Sequence, residues 1–433
     1  MAEPKSNKQV GIFVATSLVV GGMIGSGIFT LPSALAAFGG ISLLGWLISA
    51  LGALVLAFIF GKVSKVIPHA GGPYAYTRSA FGDFPAFIVG WGYWLSIWAT
   101  NSAIALTFTG YLSIFFPALS DPINTIICCL TVVWLLTTIN SRSVKAGGSV
   151  QLITTVLKII PLLVISFIGI FSFNPDHFNP FILGETSSLK AITISSALCL
   201  FAFMGLEAAS IPAANIKNPE KNISKATISG VVLVIFIYLF SSISLFGILP
   251  PDEVQNSLAP FSDAAEKLFG GNAKYFVAAG ACISTFGALN GWILIQGQMP
   301  MAMAMNQSMP KIFAKRNKND TPTAGIIITS ILLSALLFFN QSRSFSNLYS
   351  FMVLLTTVTV LISYLATTLV YGYFVWKRKF SFQPKLKTIL IFGLGIIFSI
   401  WMIIGSGLEA VIWGFLGVLL GIPVYLLSKR KQK

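Results

Sequence analysis

Apolar residues run along this chain in blocks of about twenty, the length that crosses a bilayer's hydrocarbon core as a helix. Glycine, proline, asparagine and charge punctuate the blocks. They fall at 10–37, 40–61, 84–111, 122–140, 148–172, 190–211, 226–249, 274–305, 323–340, 346–376, 386–405 and 409–428. Few carry the polar stripe by which a soluble helix turns one face to water. Lipid cannot satisfy backbone N–H and C=O groups, so such blocks must be helices. The pattern predicts an all-α integral membrane protein of about twelve transmembrane helices, with no separate soluble domain.

Composition agrees. The chain is 55% hydrophobic and 9% charged, against roughly 25% charge in a soluble protein. Its net charge of +15 would suggest nucleic acid in a soluble domain. In a membrane protein, basic residues instead collect in cytoplasmic loops. With the N-terminus inside, 23 of the 28 basic residues fall on the cytoplasmic side and four on the other. The reading is a multi-pass protein of the cell membrane with both termini cytoplasmic and no nucleic-acid partner. Lys5 and Lys8 precede the first block without a small-residue cleavage signal after it, so that block reads as a retained helix. Cys128, Cys129, Cys199 and Cys282 lie in apolar runs without metal or disulfide spacing. No metal cluster, nucleotide loop or acid–base pair suggests an enzyme, a pump or a cofactor.

Two ionisable residues, Lys158 and Glu207, lie inside predicted spans. Such groups are expensive in a membrane and mark function by default, although a structural ion pair between them is the plainer alternative. The first span carries Gly21, Gly22, Gly25, Ser26 and Gly27 at mid-depth, and the sixth carries Gly205 beside Glu207. Glycine is a poor helix former. Close helix packing explains a pair such as Gly21 and Gly25. Adjacent small residues at Gly25, Ser26 and Gly27 fit an unwound stretch better. Interrupted helices at matching places in two halves point to a transporter binding site. The first break would offer N–H donors to a carboxylate, and the sixth would offer freed carbonyls to an ammonium. Together they suit a zwitterionic amino-acid backbone. A channel is the second class considered, but no repeated ring of pore charges is present.

At these residues the chain resembles the amino acid–polyamine–organocation transporters over essentially its whole length. The carrying motifs are Gly25-Ser26-Gly27-Ile28-Phe29, then Gly71-Gly72-Pro73-Tyr74-Ala75-Tyr76 with Ala80-Phe81-Gly82, then Gly205-Leu206-Glu207 and Lys217-Asn218-Pro219-Glu220-Lys221-Asn222-Ile223. Within that superfamily it is most similar to the bacterial basic amino acid/polyamine antiporters of the arginine/agmatine exchanger type. Tyr93, Asn101, Gly205, Glu207 and Trp292 carry that likeness. The resemblance implies a 5+5 inverted repeat, 10–172 and 190–376, plus two extra helices over 386–428, often as a homodimer. It implies alternating access and a small amino acid or polyamine as substrate.

Roles implied by the resemblance follow residue by residue. The backbone of Ile24, Gly25, Ser26 and Gly27 receives a carboxylate, and the backbone near Phe201, Met204 and Gly205 receives an ammonium. Trp292 lies against the substrate side chain, while Asn101, Thr356 and Thr357 offer polar contacts. Tyr93, Glu207 and Tyr364 form an inner gate. Lys158 and Glu207 are candidates for coupling to protons. Other branches place a lysine at the Lys158 position, where its ammonium replaces a sodium ion. Gly22 and Phe201 depart from the arginine exchangers, which carry asparagine and tryptophan there. The expected function is an antiporter favouring basic amino acids, with a proton-coupled symporter of neutral amino acids as the alternative.

Overall fold

The computed structural model describes residues 11–67, 71–142, 159–160, 162–184, 186–210, 216–377 and 386–430. Lys158 and the first part of the predicted fifth span lie outside the described residues. Within them the regular elements are helices. The first span is two pieces, α1 (Ile12–Met23) and α2 (Ser26–Ala36), and α3 (Ser42–Val66) is the second. A short helix α4 (Gly72–Phe81) leads into the third span, α5 (Asp83–Leu112), followed by α6 (Pro122–Arg142). The described part of the fifth span is α7 (Leu162–Ser172). The sixth begins as α8 (Ser188–Ala202), and α9 (Pro219–Ile248) is the seventh. Then come two short helices, α10 (Pro251–Asn256) and α11 (Pro260–Phe269), before α12 (Ala273–Met305), α13 (Thr323–Phe339) and α14 (Phe345–Trp376). The chain closes with α15 (Leu386–Gly405), α16 (Gly407–Leu419) and α17 (Gly421–Arg430).

Among the described residues, eight stretches are by length and composition sufficient to cross a membrane. Three predicted spans, represented by α7, α8 and α13, are shorter apolar helices. The remaining one, α5, is 30 residues long but carries Ser96, Thr100, Asn101, Ser102, Thr107 and Thr109, all buried. These polar groups face protein rather than lipid. That is why α5 is less apolar than its neighbours although it sits at the centre of the bundle.

Helix pairings place the site. α5 packs against both α12 and α14, α3 against α9, and α6 against α13. α1 lies on α9, while α8 lies on α3. Small residues permit these approaches. A methyl group added at Gly45 would meet Ser195 Oγ at 2.5 Å, and one at Gly230 would meet Val19 Cγ1 at 2.8 Å. At the outer rim of the packing, α15 rests on α3, α8 and α14.

Candidate binding site

Two helix interruptions face one another in the middle of the bundle. In the first span α1 ends at Met23, Ile24 and Gly25 leave helical geometry, and α2 starts at Ser26. The Ile24 N–H still donates to Val20 O (2.8 Å) and the Gly25 N–H to Met23 O (2.8 Å). Those two donors are therefore spent. The first N–H groups of α2 have no partner within their own helix, so Ser26 and Gly27 present the donors. The unwound residues are thus one or two positions earlier than Gly25-Ser26-Gly27, because Ser26 and Gly27 already turn as helix.

In the sixth span α8 stops at Ala202 and the chain turns from Phe203 to Glu207 before one short 3-10 turn, Ala208–Ser210. The Phe203 N–H donates to Leu200 O (2.9 Å) and the Met204 N–H to Phe201 O (3.1 Å). Gly205 takes φ of 100°, in the left-handed region, where a side chain is strained. It also touches the other break. A methyl group there would come within 2.8 Å of the Gly22 carbonyl carbon, and one on Gly27 within 2.8 Å of Ala202 Cβ. Gly22, Gly27, Ala202 and Gly205 let the two breaks meet backbone to backbone.

Tyrosines from neighbouring helices donate to backbone carbonyls at and beside the breaks. Tyr238 of α9 donates to Met23 O (2.7 Å) and contacts Ala202 O (3.2 Å), linking both breaks through one hydroxyl. Tyr349 of α14 donates to Ser26 O (3.3 Å), and Tyr111 of α5 to Phe29 O (2.9 Å). Behind them Trp46 and Tyr238 each pack edge to face on Phe203 and lie tilted against one another.

Between the breaks lies a narrow cavity lined by Gly22, Met23, Gly25, Ser26, Gly27, Thr100, Ile104, Phe201, Met204 and Trp292. The Ser26 hydroxyl is buried and has no hydrogen-bond partner among the described residues. Donors at one end and aromatic and sulfur surface at the other describe the chamber, which is closed down around its lining. Its lining contains no carboxylate.

Glu207 sits just beyond the cavity, 1% exposed. Tyr93 of α5 donates to its Oε1 (2.8 Å) and Tyr364 of α14 to its Oε2 (2.6 Å). One carboxylate thus pins three elements together at the second break. Among the predicted site residues, Gly25, Ser26, Gly27, Phe201, Met204 and Trp292 come together on the cavity, and Tyr93, Glu207 and Tyr364 form one cluster.

Others fall elsewhere. Ile24 and Gly205 belong to the breaks but not to the lining. Asn101 is fully buried and donates from Nδ2 to Gln296 Oε1 (2.8 Å), leaving its own Oδ1 unpartnered. Gln296 in turn donates to Ile326 O (3.0 Å) and Ser330 Oγ (2.8 Å). Thr356 bonds back to Met352 O (2.8 Å), while Thr357 reaches Val353 O (2.9 Å) and Ala197 O (3.3 Å), tying α14 to α8. Thr100 and Ile104 line the cavity without having been singled out from the sequence. Their signal was available: from Tyr93, steps of seven and then four residues along α5 keep to one helix face, whereas Asn101 is rotated off it.

The amino acid permease family pattern matches residues 10–416. The cadaverine/lysine antiporter of Escherichia coli is 32% identical over 333 residues, covering 77% of this chain and 75% of that protein. The arginine/ornithine antiporter of Pseudomonas aeruginosa is 28% identical over 99% of this chain and 92% of its own length. The putrescine transporter PotE of Haemophilus influenzae is 30% identical over 97% of each.

Proposed function

This chain belongs to the amino acid permease family, and from that premise we propose that it exchanges basic amino acids for related amines by alternating access. The observation that carries the reading is the cavity between the two broken helices. It joins the N-terminal donors of α2 and the unpartnered Ser26 hydroxyl to the aromatic faces of Phe201 and Trp292. A substrate carboxylate suits the donor end. A cationic side chain suits the face of Trp292, since the lining offers no acid to pair with it. The relatives named for lysine, arginine, ornithine, cadaverine and putrescine favour this substrate class.

In this reading 10–172 and 190–376 are inverted five-helix repeats, and 386–428 is an addition. Exchange of neighbours supports it: α1 lies on α9 where α8 lies on α3, and α3 with α9, α5 with α12 and α6 with α13 pair directly. The Tyr93–Glu207–Tyr364 cluster is the gate on the cytoplasmic side, and both termini lie on that side of the cell membrane. The assembly is a pair of copies. Lys158 would tune the association of the first and fifth spans by losing and regaining its proton, since a dry site disfavours a charged amine.

Purified protein in liposomes tests the function. Labelled arginine, lysine, ornithine and polyamines should enter vesicles preloaded with unlabelled substrate and stay out of empty ones. Entry of a neutral amino acid into empty vesicles under an inward proton gradient would overturn exchange in favour of symport.

A further inference from the structure

Away from the cavity, α14 and α15 part to leave an apolar groove of about 210 Å³, lined by Gly372, Val375, Trp376, Thr388, Ile389 and Phe392. Gly372 lets the Phe392 ring of α15 close against α14 at the groove's wall, since a methyl group there would meet that ring at 2.4 Å. Trp376 is 75% exposed and Ile389 55%.

Lysines crowd the same end of these helices. Lys377 follows the last residue of α14, with Nζ 5.2 Å from the Trp376 ring and 5.9 Å from the Tyr373 ring. Lys387 is in the first turn of α15, next to the groove residue Thr388. Lys65 and Lys387 are both within electrostatic reach of Lys62. Among the described residues, Lys65, Lys377 and Lys387 enter no ion pair with a carboxylate. The sequence from 377 to 387 has five basic residues and no acid. The mutual repulsion of Lys62, Lys65 and Lys387 favours an anion beside them.

We infer that the groove between α14 and α15 holds one anionic phospholipid, its acyl chain along Val375, Ile389 and Phe392 and its phosphate between Lys377 and Lys387. Trp376 stands where a tryptophan anchors at headgroup level. Basic pockets between helices at a membrane surface suit anionic headgroups. Charge also decides against a second copy in the groove, which would bring the same lysines against these. The inference is independent of what the carrier transports.

The test uses the full-length chain, delipidated in detergent and offered equal amounts of phosphatidylglycerol and phosphatidylcholine, with bound lipid counted by native mass spectrometry. Phosphatidylglycerol should be retained in clear preference. Removing both charges in K377Q/K387Q should weaken it by about fivefold per lysine, while K377R/K387R should keep it. Ile389→Trp, which fills the groove from an exposed position, should weaken it as well. Equal retention of the two lipids by the unaltered chain would overturn the inference. So would unchanged preference in K377Q/K387Q, or displacement of the lipid by glycerol phosphate at the same concentration, which would mean a phosphate site without a lipid groove. If K377Q/K387Q unfolds, the unaltered chain, the arginine pair and Ile389→Trp still decide.

Discussion

Glu207 offers two carboxylate oxygens, and a buried tyrosine hydroxyl occupies each one. Opening this end of the cavity requires both bonds to break, which makes their strength a lever on the transport cycle. A hydrogen bond lost inside a protein costs about 1–3 kcal/mol, and 1.4 kcal/mol is a factor of ten in an equilibrium. Tyr364→Phe should therefore raise the population open at that end by about tenfold. Distances between spin labels at the gate-side ends of α5 and α14 measure it; an unchanged distribution would contradict the gate. Trp292→Leu removes a cation–π partner worth about 0.5–2 kcal/mol. It should weaken binding of lysine and cadaverine by about 2- to 30-fold while changing a neutral amino acid less, which competition binding would reveal. At this scale the sequence was partly legible. Glu207 stood out as an acid in an apolar run, and Trp292 came from resemblance. Thr100 did not stand out, because a threonine on a long apolar helix is ordinary until its face is known. Asn101 also came from resemblance, yet its amide bonds Gln296 in the seam between α5 and α12.

The two interrupted helices hold each other in place. Gly27 meets Ala202, Gly205 meets Gly22, and Tyr238 touches a backbone carbonyl on each side. Gly27→Ala drives a methyl group to within 2.8 Å of Ala202 Cβ and 2.9 Å of its Cα, where backbone must shift. Overpacking of this kind costs about 1–3 kcal/mol, so a lower melting temperature and loss of exchange are expected together. Tyr238→Phe keeps the ring and its packing on Trp46 and Phe203 but leaves Met23 O and Ala202 O without the hydroxyl. It should cost about 1–3 kcal/mol and impair exchange more than a phenylalanine substitution at an exposed tyrosine such as Tyr275. The existence of both breaks was readable from clustered glycines and one buried acid. Their edges were not, since local turn hydrogen bonds at Ile24 and Gly25 decide where helix resumes. Short helices such as α4, α10 and α11 were also missed, because they lie in polar connections without a membrane-length pattern.

At the scale of the molecule, hydropathy blocks gave the order of spans because the bilayer imposes one length on every crossing. What they could not give is which spans sit inside the others. α5 looks unremarkable as a sequence, yet packs on α6, α12, α13 and α14. The closing helix is tied back by charge. Asp83 accepts from Arg78 Nε (2.8 Å) and from Lys429 Nζ of α17 (3.2 Å), while Phe87 packs tilted against Tyr425. The Arg78 guanidinium foremost holds the Asp83 carboxyl below its usual range. A carboxyl with a depressed folded-state pKa stabilises above its unfolded value, about 3.9, and loses that contribution as pH falls through its folded value. Hydrogen-exchange protection of α17 should therefore stay level from neutral pH down to about pH 4 and decline below it. Asp83→Asn should show the weaker protection at every pH.

The central claim is that exchange passes through the cavity between the two breaks, and Thr100 on its wall allows a direct test. Thr100→Cys, in a chain whose four native cysteines are replaced by serine or alanine and which still exchanges, would be labelled with a small thiol reagent in liposomes. Saturating lysine or cadaverine should slow the labelling at least tenfold, while a cysteine placed at the lipid-facing Ile139 should react at an unchanged rate. Equal labelling of Thr100→Cys with and without substrate, in vesicles that still exchange, would contradict the account.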